Sequence, residues 1–97
     1  MTPRRIPSHK FRGKTYHIKW LDQPRYSGGD CDGACSTPEK ATIELKKKLR
    51  QKRLLKVAID EGVHACLWDL DNDAVDEISE SIHALLWRLG YRLTNRK

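Results

Sequence analysis

The stretch Leu55–Trp68, LKVAIDEGVHACLW, decides how this chain is read. Leu55, Ile59, Gly62, Val63, Cys66 and Leu67 recur at the spacing of one helix face. The pattern predicts a helix that is entered from the basic run Lys46 to Arg53 and ends near Trp68. On that helix Asp60 and His64 stand four residues apart, so their side chains share a face, one turn apart. Glu61 is rotated from them by about a third of a turn.

Reading on from Trp68, Leu70-Asp71-Asn72-Asp73 turns the chain. Asp71 suits an N-cap, because a short carboxylate can accept from the free amides of a helix start. Leu70 can staple onto Val75, and the acids Asp73, Asp76 and Glu77 suit the positive end of a helix. Val75, Ile78, Ile82, Leu85, Leu86 and Leu89 are expected to form its buried stripe. Gly90 is a natural residue just past the end, with Tyr91 folding back on Leu86 as in a Schellman ending.

Upstream, Tyr16, Ile18 and Trp20 alternate with His17 and Lys19, the period of a half-buried strand. Pro24 to Pro38 reads as a loop. Ala41 to Leu45 reads as a second short strand with β-branched residues. Residues 1–13 read as a loose basic arm, 14–93 as one domain and 94–97 as a tail. The expected fold class is α+β, a small sheet of two or three strands packed on a helical hairpin.

The chain has 97 residues, which supports one domain, with 38% apolar and 33% charged residues, a globular composition. No run approaches the ~20 apolar residues of a membrane span. Met1 to Lys14 is basic without an apolar core, so a secretory signal is not expected. Three cysteines make a poor disulfide framework, and a reducing cytoplasm is the expected location. The net charge of +6 is unevenly placed: residues 1–56 carry fifteen Lys/Arg and five Asp/Glu, residues 57–97 four and eight.

Asp60, Glu61 and His64 are the chemical core of the sequence. A helix that offers two ligands at i and i+4, with a glutamate beside the first, can hold one divalent ion and a base for its water. Residues 28–92 resemble a group of small phage-encoded proteins related to minimal zincin metallopeptidases. The likeness rests on Gly29-Asp30-Cys31-Asp32, Ala41-Thr42-Ile43-Glu44-Leu45, Asp60-Glu61-Gly62-Val63-His64-Ala65-Cys66, Leu67-Trp68-Asp69-Leu70-Asp71 and Leu86-Trp87-Arg88-Leu89-Gly90-Tyr91. It implies zinc or another divalent cation held by Asp60 and His64, with Glu61 as general base. It further implies a third ligand from a later segment, for which Asp69, Asp71, Asp73, Asp76 and Glu77 are candidates and Asp73 is the one chosen. The departure is at Asp60, where such proteins carry the first histidine. A carboxylate there makes the site harder and more anionic, which favours Mn²⁺, Mg²⁺ or Ca²⁺ over Zn²⁺.

Other features compete with this core. Cys31, Cys35, His64 and Cys66 could form a structural zinc site. Lys46, Lys47, Lys48, Arg50, Lys52, Arg53 and Lys56 form the best nucleic-acid feature, with Lys48, Lys52 and Lys56 expected on one helical stripe. No aromatic residue is interleaved with them for base stacking. The reading that combines these features is a phage accessory protein with a degenerate metallopeptidase-like core. It is expected to act by binding a host macromolecule, in the first place a host protein. One alternative is a divalent-metal-dependent hydrolase using Asp60, Glu61 and His64. The other is a nucleic-acid-binding protein using residues 46–56.

Overall fold

A computed structural model describes residues 3–24 and 32–93. The tail 94–97 and Cys31 lie outside the described residues. Six elements follow in order: β1 (Ser8–Phe11), β2 (Lys14–Leu21), β3 (Gly33–Cys35), β4 (Thr42–Lys46), α1 (Gln51–Cys66) and α2 (Asn72–Leu89). The fold is α+β, as the sequence pattern predicts. The sheet is larger than expected, with four strands in the order β1-β2-β4-β3.

The two additional strands lie in stretches read as arm and loop. Ser8–Phe11 is not loose: it pairs antiparallel with β2, from Ser8↔His17 to Phe11↔Lys14. Arg12 and Gly13 make the two-residue connection, both with positive φ (48° and 82°), which suits the twist of a tight hairpin. Gly33–Cys35 pairs antiparallel with β4 at the sheet edge. Between them, β2 and β4 run parallel, from His17↔Thr42 to Leu21↔Lys46.

The register puts Ile18 beside Ile43 and Trp20 beside Leu45. With Tyr16, these face α1 and form the core together with Val57 and Ala65. Phe11 closes one end, its ring edge-on to Tyr16 at 5.7 Å. Each such buried side chain contributes about 1.5–3 kcal/mol.

The chain turns at Asp71, whose Oδ1 accepts from the Ala74 amide at 2.8 Å. Gly90 takes φ 96°. Its amide donates to the Trp87 carbonyl and the Tyr91 amide donates to the Leu86 carbonyl, each at 3.1 Å. This is the Schellman ending that the sequence predicts.

The buried stripe of α2 differs from the expected one. The buried residues are Val75, Ser79 and His83. Ile78 and Leu86 are half-buried, whereas Ile82, Leu85 and Leu89 are 40%, 55% and 64% exposed. The reason is the layering: α1 packs against the sheet and α2 chiefly against α1. A second-layer helix needs only a narrow inner seam.

Candidate metal centre on the first helix

The middle of α1 is apolar on the sheet side through Val57 and Ala65 and polar at Lys56, Asp60, Glu61 and His64. Helical spacing brings Asp60, Glu61 and His64 into one cluster, with one ligand atom from each lying within 4.8 Å of the others. Among the described residues it is the one such group of three. Asp69, Asp71, Asp73, Asp76 and Glu77 do not join it. Asp73 is exposed in the first turn of α2. The third ligand assigned to Asp73 is therefore not in place: Asp73 lies past the C-terminal end of α1, on the exposed first turn of α2, and does not share the cluster of Asp60, Glu61 and His64.

Each member has a different setting. Glu61 is buried under β3, where a Cβ on Gly33 would collide with Val57 Cγ1 and stand 3.3 Å from Glu61 Oε2. Glycine at position 33 is what lets the edge strand pass this close to the helix. Burial pushes the Glu61 carboxyl up to about 8, and the Asp60 carboxylate adds to the rise while Lys56 opposes it. Asp60 Oδ1 is enclosed and has no hydrogen-bond donor. Its charged neighbour is Lys56 Nζ at 3.7 Å. His64 is half-buried and lines an open cleft of about 210 Å³ with Cys35, Ser36, Thr37, Pro38 and Trp68. Trp68 stands at the rim, 63% exposed.

These residues fit a divalent cation in donor chemistry and in spacing. Carboxylate oxygen and imidazole nitrogen are ordinary ligands for zinc and for harder ions. An enclosed carboxylate oxygen without a donor is a place where a cation would be stabilised. The ammonium of Lys56 is the competitor. Lys56 is a buried residue, and its ammonium also lies 3.3 Å from Asp76 and 3.6 Å from Glu80, so it ties α1 to α2.

The cysteine alternative has less support. Cys35 and Cys66 are free and half-buried, and neither belongs to the cluster. Burial pushes the Cys35 thiol up to about 12, helped by Glu61, so it stays protonated.

The basic run is dispersed. Lys48 and Arg50 precede α1, Lys56 points into the helix interface, and no stripe of Lys48, Lys52 and Lys56 forms. Lys46 and Arg53 pair with Asp32 at 3.8 and 2.7 Å, and Lys47 with Asp22 at 3.9 Å. Lys52 lies 5.4 Å from the Trp87 ring centre.

Two supporting contacts escape a sequence reading. Arg12 Nη1 donates to the Cys66 carbonyl at 2.8 Å, so the β1–β2 turn caps the end of α1. His83 Nε2 lies 3.0 Å from the Lys52 carbonyl, and its ring stacks on Trp87. The Lys56–Asp60 spacing was a visible signal for an ion pair; nothing local announced Arg12, whose partner is 54 residues away. No helix among the described residues is long and apolar enough to cross a membrane. Set against known protein families, curated proteins and solved structures, the chain matches none.

Proposed function

We propose that the chain is a divalent-cation-dependent hydrolase of reduced zincin type, with Asp60 and His64 as cation ligands and Glu61 as general base. The observation that carries this reading is the convergence of the three groups within 4.8 Å beside an open cleft. A bound cation lowers the pKa of a coordinated water and so supplies a nucleophile near neutral pH. Glu61, held close to neutrality by burial, suits a group that takes and returns a proton. His64 presents the site to the cleft, and Trp68 offers an apolar surface for substrate at its rim. Peptides are the substrate class that the zincin likeness favours.

The test is metal analysis of protein purified without chelator and resupplied with zinc or manganese, followed by hydrolysis of a peptide library. One ion per chain, lost in His64→Ala, is expected. Glu61→Gln should keep the ion and lose hydrolysis. Absence of any bound ion after resupply sinks the reading.

Lys56 favours a second reading. Its ammonium, 3.7 Å from Asp60, already compensates that carboxylate. A site balanced in this way suits a phage protein that keeps the zincin-like frame and acts by binding a host protein. A complex captured from host lysate that survives nuclease treatment, together with the absence of metal, is its expected signature. Capture that is lost with nuclease, and affinity that falls steeply with salt, would instead indicate nucleic acid.

A further inference from the structure

Ile78, Ile82, Leu85 and Leu89 follow one another on α2 at spacings of four, three and four. That is the rhythm of a two-helix seam. The inner seam against α1 is made by Val75, Ser79 and His83, and the exposures of 40%, 55% and 64% at Ile82, Leu85 and Leu89 leave this second stripe largely uncovered. We propose that it joins two copies of the chain, α2 against α2 in antiparallel, about a two-fold axis between Ile82 and Leu85.

The arrangement of side chains argues for a second copy of this chain. Reversing the helix lays Ile78 against Leu89 of the other copy and Ile82 against Leu85, so the stripe is complementary to itself. An interface of this kind is isologous, with each contact made twice.

The charges follow the same symmetry. On α2 the acids Asp73, Asp76, Glu77 and Glu80 precede Ile82, and Arg88 follows Leu85. Asp76 and Glu80 are engaged by Lys56, and Arg92, past the helix end, lies over the Trp87 ring. Glu77 and Arg88 have no ion-pair partner among the described residues. They are eleven residues apart, about three turns, and so flank the stripe on the same side. In the antiparallel pair Glu77 of each copy meets Arg88 of the other, twice. A parallel pair would put the two Glu77 side chains on opposite flanks of the seam and bring neither of them to Arg88. This proposal is independent of the cation site.

The test is sedimentation velocity on the full chain from micromolar to sub-millimolar concentration. A monomer–dimer equilibrium is expected, and Leu85→Glu should abolish the dimer with unchanged circular dichroism. Glu77→Arg and Arg88→Glu should each weaken the dimer about tenfold, and the two together should restore most of the loss. A chain that stays monomeric throughout overturns the proposal. So does a dimer indifferent to Leu85→Glu, or a double reversal no tighter than the single ones.

Discussion

The two helices are adjacent, similar in length and amphipathic in sequence, yet α1 is enclosed and α2 is half bare. α1 is buried at Leu54, Lys56, Val57, Glu61 and Ala65, because the sheet lies on one side of it and α2 on another. Two of those five are ionisable. α2 is buried only at Val75, Ser79 and His83, while Ile82, Leu85 and Leu89 face outward. The difference teaches that periodicity locates a helix but not the layer it occupies. The enclosed helix can perturb charged groups, and the bare one can offer surface.

The enclosure of α1 can be tested first by pH. The folded chain holds a proton on Glu61 up to about 8, whereas an ordinary carboxyl loses it near 4.5. Between those values the native state binds more protons than the unfolded one. Stability therefore falls as pH rises through that window, by up to about 1.4 kcal/mol per pH unit from this group. Urea unfolding at pH 5, 6, 7 and 8 should show the slope in the wild type and a flatter one in Glu61→Gln. Equal slopes would mean that Glu61 is not enclosed as described.

Gly33→Ala attacks the same enclosure from the strand side. The added Cβ meets Val57 Cγ1, so β3 or α1 must shift, at a cost of about 1–3 kcal/mol. Chemical denaturation measures it, and a neutral result would place β3 further from the helix.

On α2 a matched pair of truncations separates inside from outside. Val75 is fully buried, and Val75→Ala should cost about 1–2 kcal/mol through the cavity it leaves. Leu85→Ala, measured at concentrations where the chain is monomeric, should change stability by less than about 0.5 kcal/mol. Reversed magnitudes would mean that Leu85, and not Val75, faces the core.

Much of this was legible in the sequence. Asp71 and Gly90 announce both ends of α2 because caps act over three or four residues. Asp60, Glu61 and His64 form a cluster because one helix sets their spacing. What was not legible depends on distance along the chain. Ser8–Phe11 is a strand because Arg12-Gly13 turns it back on β2, a signal hidden among basic residues. Gly33–Cys35 is a strand only because β4 lies beside it. Asp73 does not reach the cluster, since the acidic turn lies past the end of α1. The outward direction of Ile82, Leu85 and Leu89 follows from layering, which no local pattern encodes.

The parallel ladder between β2 and β4 also bears on how the chain assembles. The β1–β2 hairpin and the pairing of α1 with α2 join neighbours in sequence, and a β-hairpin forms within about 1–10 μs. His17 and Thr42, in contrast, are 25 residues apart, and their pairing must close that loop before any ladder bond compensates for the lost chain entropy. Non-local parallel pairing of this kind slows folding relative to contacts between sequence neighbours. Glu61 is covered by β3, which pairs with β4, so its raised pKa is a product of docking that edge strand on α1 and not of the helix alone.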